Sequence, residues 1–581
     1  MQHHQRPPEL PQPPMSSRES TVPDFDRNPL VDNGETFAID PNGKYWYMGP
    51  TSSWAFCRRV VAMIGSRVPE PEPPVDPWDL QTRQLTWVPL GLHQQPSVEN
   101  LPSRDYALFL LMTVKFHLGP LSQIIHDDSF RQHLERFYRN PAAEASQSRY
   151  WYAQLLIILA YGEAFSANGT MKTIPGLDYA SRALALTSSL IPMGGDTLAA
   201  AEALCLIALY LQALDLRLMA FQMIGQALRI CLIEGWHRQM PADQVDVRHS
   251  QRCNTVFWTA YIIDREFGTL VGAPSSIRDE DITTKLPSAL TSSVGADALA
   301  LQIRLARLTA TILTGVYGVD RSSSGSLLRD TQSALHDIAD ISRDMSVFLG
   351  SNLEGINIKT SKTATRLILS YHHCVVLTTR PLVMCLLQRR LARGGQDKPV
   401  PSDPISSLLQ SCSSSALNIL KMLKSLCDSN LIDCFLPFQL ETVFSSTFLL
   451  YVIGMVAPDF VTDRSWLSMA HDMFDTMIAR GSPAAPLRKR EFQRLEQVME
   501  AYLAEQPVET EREVPRQLYN SAQDQESIMG VGNSVGSMGD ASYMSQIPWT
   551  VQDGIEGFIM SPTDILNMAD ELQIDDFIVH Q

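Results

Sequence analysis

The chain of 581 residues has no Cys-x-x-Cys pair, and its nearest cysteines, Cys427 and Cys434, stand seven positions apart. Zinc ribbons, RING-type sites and thioredoxin-like redox motifs need closer thiols, so that spacing excludes them. The nine cysteines are scattered through apolar stretches and read as reduced core thiols of an intracellular protein. Basic charge is also short: 47 Lys and Arg face 63 Asp and Glu, for a net charge of -16. A chain this acidic repels phosphate and is no general DNA binder, which would need clustered cations to displace counterions. The deficit is steepest at the end. After Arg516 there is no Lys or Arg, while ten acids follow, from Asp524 to Asp576, so the last 65 residues carry -10.

Long apolar runs are missing too. The longest uncharged one, Val443 to Pro458, is broken by Ser445, Ser446 and Thr447, and it falls short of the roughly twenty residues of a bilayer span. A buried helix and no membrane contact are expected. The opening "MQHHQRPPELPQPPMSSRES" has no apolar core for a secretory signal, which makes the sequon Asn168-Gly169-Thr170 a plain loop.

Catalytic signatures fare no better. There is no Walker loop and no Gly-x-Gly-x-x-G after a strand. Gly532-Asn533-Ser534-Val535-Gly536 spells a nucleophile elbow, yet neither an apolar strand before it nor a helix after it supplies the strained turn that exposes such a serine. The acids Asp264, Glu266, Asp279, Glu280 and Asp281 lack EF-hand spacing and a partner histidine. His126 beside Asp127 and Asp128, and the pair His372 and His373, lack the two-histidine face of a zinc site and read as helix-end or core histidines. No enzyme, catalytic residue, metal site or cofactor is expected.

Helical periodicity, by contrast, is abundant, and with 45% hydrophobic residues it predicts an all-α fold: a large multi-helix domain between disordered flanks. The segment 197–236 reads as two helices broken near Asp215, with Asp196 or Thr197 capping the start and Gly235 closing the end. Val256, Ala260, Ile263 and Phe267 step by four, three and four, one apolar stripe facing a core. Pro274 ends that helix, and "GAPSSIRDEDI" becomes a loop with Ser276 and Asp279 as candidate caps of a short turn. The basic clusters Arg58-Arg59, 388–393 and 488–491 read as solvated helix ends.

Four segments follow: a Pro- and Gln-rich leader (1–42), the helical domain (43–504), a polar Gly- and Ser-rich linker (505–548) and a tail (549–581). In the tail, Trp549, Phe558, Ile559, Leu566, Leu572 and Phe577 alternate with acids. Acids keep such side chains solvated, the composition of an activation segment that folds onto a coactivator groove or the transcription machinery; the alternative is a terminal helix docked on its own domain.

Four stretches then carry a resemblance: "GKYWYMGPTSSW" (43–54), "LYLQALDLRLMAFQMIGQALRICLIEGWHR" (209–238), "RCNTVFWTAYIIDREFGTLVGAPSSIRDEDITTKLP" (252–287) and "LILSYHHCVVLTTRPLV" (367–383). Together and in this order they resemble the middle regulatory domain of fungal zinc-cluster transcription factors, in the branch that includes proline-utilisation activators. On that resemblance Arg252, Trp258, Tyr261, Asp264, Arg265, Gly272, Pro274, Asp279 and Asp281 fill one family block, and Tyr371, Arg380 and Pro381 a later one. The physical reading of the first block is architectural: aromatics packed inward, Arg265 and the acids pinning the exit loop.

The resemblance implies a nuclear regulator of a fungal metabolic gene set, for secondary-metabolite biosynthesis or nutrient utilisation. Such factors also carry a six-cysteine zinc module that docks a helix in the major groove. No cysteine precedes Cys57, and without thiolates that module cannot fold. The expectation is that zinc enters only with a cluster beyond this sequence, and that DNA is reached through such a module or through a homo- or heterodimer with a zinc-cluster factor. The rival expectation is a DNA-free helical scaffold that pairs with and modulates such a factor.

Overall fold

The structure is a computed structural model that describes residues 25, 27–31, 37–39, 43, 45–67, 85–91, 93–166, 174–187, 196–291, 293–318, 326–352, 361–392, 403–505 and 559–572. Within them the fold is all-α, with one short antiparallel pair, β1 (Phe37–Ile39) and β2 (Tyr45–Tyr47), in which Ala38 faces Trp46. The Ser534 elbow, Trp549, Phe558 and Phe577 lie outside the described residues.

Two apolar cores organise the helices. The first gathers α2 (Arg104–Leu118), α3 (Asp127–Arg139), α4 (Pro141–Gln147), α5 (Arg149–Ser166), α6 (Leu177–Thr187), α7 (Thr197–Ala213), α8 (Arg217–Ile233) and α9 (Val247–Val271). The second gathers α1 (Ser53–Gly65), α11 (Ser326–Asn352), α12 (Lys362–Ala392), α13 (Asp403–Asp428), α14 (Pro437–Val456), α15 (Ser465–Ala479), α16 (Ala485–Glu505) and α17 (Pro562–Glu571). Between them runs α10 (Val294–Gly315), whose opposite faces serve both: Leu299, Ile303 and Ala306 enter the first core, while Leu301, Leu305, Leu308 and Ile312 enter the second. Steps of three and four place each set on one face of the helix, so a single element joins the cores.

The break expected near Asp215 is present. Asp196 caps α7 by accepting from the Ala199 amide at 3.0 Å, and Asp215 takes a left-handed φ of 57° before α8 begins. Asp and Asn tolerate that conformation better than bulkier side chains. Gly235, with φ of 73°, follows the end of α8. The stripe Val256, Ala260, Ile263 and Phe267 is fully buried in the first core.

Among the described residues, two helical stretches, Arg104–Ile124 and Pro437–Val456, are long and apolar enough for a membrane span. The second, α14, has 72% of its apolar window inside the protein, where α12, α13, α15 and α16 cover it. It is the buried helix expected around Val443, begun earlier at Pro437, whose ring suits the first turn.

Four expectations are corrected. The ordered body starts before Gly43, because Phe25 and Leu30 are buried in the second core and Asn28 donates to the Val316 carbonyl at 2.8 Å. Ser276 caps no turn; its hydroxyl donates to Asp264 at 2.8 Å instead. Within the cluster 488–491, Arg488 and Glu491 are not solvated: Arg488 is 2% exposed, because buried carboxylates surround it. Arg59 is likewise buried and donates to the Pro29 carbonyl at 2.9 Å.

The fourth concerns the tail. Ile559, Ile565, Met568, Ala569 and Leu572 are buried in the second core, with Leu566 packed at its margin. Helix α17 rests mainly on α11, where Gln332 donates to the Ala569 carbonyl at 2.9 Å and Ser342 to the Met560 carbonyl at 2.6 Å. Asp564, Asp570 and Glu571 stay on the exposed side. The docked-helix alternative therefore describes residues 559–572: spacing gave an amphipathic helix, and α11 offered the apolar face that pairs with it.

A candidate regulatory seam

Three of the four family-like segments, distant in sequence, meet where the two cores join. The Gly49 amide donates to the Val271 carbonyl at 2.7 Å and the Thr51 hydroxyl to the Thr269 carbonyl at 2.9 Å, so segment 43–54 is stitched to the end of α9. Arg380 of α12 then donates to the Thr51 carbonyl at 3.1 Å and lays its guanidinium over the Phe56 ring at 4.8 Å. Pro381, inside α12, has no N–H for the Leu377 carbonyl four residues back. The Tyr317 hydroxyl donates to that carbonyl at 2.9 Å and makes good the loss. Tyr371 is fully buried in the second core.

Gly49 and Gly272 touch backbone to backbone. Gly272 caps α9 with a left-handed φ of 75°, and a Cβ there would lie 2.3 Å from the Gly49 Cα. Gly272→Ala combines that overlap with an unfavourable backbone conformation and is expected to cost about 2–5 kcal/mol. Thermal or denaturant midpoints of the two proteins check this, and an unchanged midpoint would show that the strands of the seam are not in contact.

The block on α9 is built as a pinned corner. Trp258 donates its indole N–H to the Lys285 carbonyl at 2.9 Å, and Tyr261 donates its hydroxyl to Asp279 at 2.7 Å. Arg265 reaches the Ile277 carbonyl and, at 3.1 Å, Asp279, while its guanidinium covers the Tyr261 ring at 4.6 Å. Pro274 begins the turn; Asp281 pairs with Arg278 at 3.1 Å. Arg252, at the other end, grips the buried Glu202 of α7 through two bonds of 2.8 and 2.9 Å. Burial raises the Asp264 carboxyl above its usual range, against the pull of Ser276 and Arg265.

Beside this corner lies a buried charge network. Arg217 contacts Asp215 at 2.7 Å and Glu441 at 2.6 Å. Arg488 contacts Asp215 at 3.1 Å, Glu441 at 3.0 Å and Glu491 at 2.8 Å. The α7–α8 break is thereby tied to α14 and α16.

A cleft opens at the seam, walled by α9, α10, α12 and α14. Arg366 is paired to both carboxylate oxygens of Glu266, and its guanidinium lies 3.3 Å from the Phe438 ring centroid. Gln302 donates to Glu266 at 3.3 Å and to Ser370 at 2.8 Å. Burial raises the Glu266 carboxyl, while Arg366 holds it down. His373, also on the wall, is lowered to about 4 by burial and the nearby Arg380 and Arg366, and is neutral at physiological pH. His372 turns away to Ser415 on α13, and His126 caps α3. Among the described residues no group of three or more metal-ligating side chains occurs.

Sequence reasoning picked out Arg265 and passed over Gln302, Arg366 and Phe438, since nothing local links helices so far apart. The usable signal was Arg366 itself, a charge set directly before Leu367, Ile368 and Leu369, where burial demands a partner.

Residues 109–333, which include α9 and its exit loop, match the family described as "Fungal specific transcription factor domain". That stretch is similar to a fungal specific transcription factor domain. An uncharacterised transcriptional regulatory protein of Schizosaccharomyces pombe is 20% identical over 77% of this chain and 56% of its own length. An ABC-transporter-regulating transcription factor of Aspergillus fumigatus is 23% identical over 32% of this chain and 21% of its own length. A thiamine repressible genes regulatory protein of S. pombe is 21% identical over 58% of this chain and 45% of its own length. The chain thus spans about half or less of the length of these curated relatives. No solved structure matches. The matched stretch ends in α11, so the seam joins it to the helices that follow.

Proposed function

We propose that this protein regulates transcription in the fungal nucleus, controlling a metabolic gene set of the secondary-metabolite or nutrient-utilisation kind. The single observation that carries the reading is the transcription factor domain at 109–333, and the relatives' names, all of regulators, support it. In this reading the seam fixes the domain's shape and performs no chemistry, while contact with DNA is made through a zinc-cluster module or a zinc-cluster partner. The acidic tail is the output, binding a coactivator through the apolar face of α17. That face is turned inward on α11, so residues 559–572 of the resting protein are stowed.

Docking of this kind is readily reversed. Burying five apolar side chains contributes a free energy of the same order as the backbone entropy lost in ordering residues 559–572. Residues 505–581 fused to a foreign DNA-binding domain are expected to drive a reporter several-fold above the DNA-binding domain alone. Silence of that fusion would discard the activator reading and leave the co-regulator that only pairs with a zinc-cluster factor.

A further inference from the structure

We propose that the outward face of α2 is a pairing surface for a second copy of this chain, the two α2 helices lying antiparallel about a two-fold axis. The inference is independent of the transcriptional reading, and its failure leaves that reading untouched.

Helix α2 is apolar on two sides. Ala107, Leu110, Leu111, Val114 and Leu118 sink into the first core. On the opposite side Phe109, Met112 and Phe116 step by three and four, which makes one stripe along the outside, and Tyr106 stacks on Phe109 with ring centroids 5.9 Å apart. These four side chains are 41%, 56%, 51% and 51% exposed in chain order. A helix that is apolar all round belongs in an interior, and here only its inner side has one. Single exposed apolar residues are ordinary, whereas four that adjoin on one helix form a patch that calls for a cover.

A second copy fits this face best. A two-fold axis requires a surface that complements itself. With the axis between Phe109 and Met112, the Phe109 ring meets the Met112 thioether of the second copy, a favourable sulfur–aromatic contact, and Phe116 meets the end that carries Tyr106. Charge agrees with this direction. Asp105, in the first turn and 84% exposed, comes opposite the Lys115 in the last turn of the second copy, and the antiparallel helix dipoles attract. Lys115 already holds Asp127 at 2.5 Å and has donors left for a second acid. The cations Arg104, Lys115 and Arg131 border the stripe together with the acids Asp105, Asp127 and Glu135, so no positive surplus draws in an anionic membrane.

Area sets the strength. Each of the four side chains shows about 100 Å2, so the stripe offers roughly 400 Å2 per copy, about half of what a standard interface takes from each partner. Pairing is therefore weak and reversible, with a dissociation constant in the micromolar range.

Sedimentation velocity of the full chain between about 1 and 200 μM tests this. The weight-average mass is expected to rise from the 64.8 kDa of one chain towards twice that value and to stop there. Phe109→Lys, at an exposed position, should raise the dissociation constant about tenfold or more while the thermal midpoint stays within about two degrees; Phe116→Lys serves if that variant does not fold. Asp105→Lys, which sets two cations against each other, should weaken pairing severalfold, and more at low salt than at high; unchanged pairing there overturns the antiparallel arrangement. A chain that stays monomeric, whether or not it floats with phosphatidylcholine–phosphatidylserine vesicles, a mass that climbs past two copies, or pairing that both lysine variants of the stripe leave intact overturns the proposal.

Discussion

Replacing Arg488 by methionine is expected to destabilise the protein by about 3–5 kcal/mol, because removing one member of a buried ion cluster leaves its partners as uncompensated charges. Arg488 is 2% exposed and sits against Asp215, Glu441 and Glu491, all within 3.1 Å. Burial already pushes the Glu441 carboxyl above its usual range, with Arg217 opposing, so that group has little tolerance for losing a cation. Against a total stability of about 5–15 kcal/mol such a loss shows as a fall of many degrees in the thermal midpoint. Adding Glu441→Gln and Glu491→Gln should recover most of the fall, since Arg217 keeps Asp215 as its partner at 2.7 Å. A midpoint within a degree of the original for Arg488→Met alone would mean the network is not built as described.

The second large effect concerns the stowed tail. Gln332→Glu with Ser342→Ala on α11 removes two side-chain hydrogen bonds to residues 559–572, to the Ala569 and Met560 carbonyls, and sets a carboxylate against a carbonyl oxygen. Two such losses amount to about 2–3 kcal/mol, enough to raise the undocked population tenfold or more. Amides of α17 should then exchange hydrogen at least ten times faster while those of α14 stay unchanged. On the proposed function, a reporter driven by the full protein rises with them. Faster exchange with a flat reporter would separate the docking, which stands, from the activator role, which would fall. Neither alteration touches the apolar face of α17, so a rise cannot come from a changed activation surface.

These results also show how local patterns and tertiary contacts divide the information. The stripe on α9, the Asp196 cap, the break at Asp215 and the burial of α14 were legible because each depends on residues within a few turns of one another. Arg488 was misread for the complementary reason. Among its near neighbours only Glu491 is a partner; the others, Asp215 and Glu441, stand 273 and 47 positions away. A run of cations looks solvated until distant carboxylates are placed beside it. The tail repeats the point, since acids alternating with apolar residues specify an amphipathic helix without specifying its partner surface.

The sequence by itself determined that this chain folds as helices, where α7 starts, where α7 and α8 break and where α8 and α9 end, and which residues resemble the fungal regulatory domain. Helix periodicity and capping are short-range, and every residue they require lies on the same turn or the next. Only the tertiary structure decided that segments 43–54, 252–287 and 367–383 share one seam, that a cleft lined by Arg265 and Arg366 opens there, and that residues 559–572 lie on α11. Those features depend on side chains hundreds of positions apart being brought to within a few ångströms, and packing of whole helices, which no local pattern encodes, sets those distances.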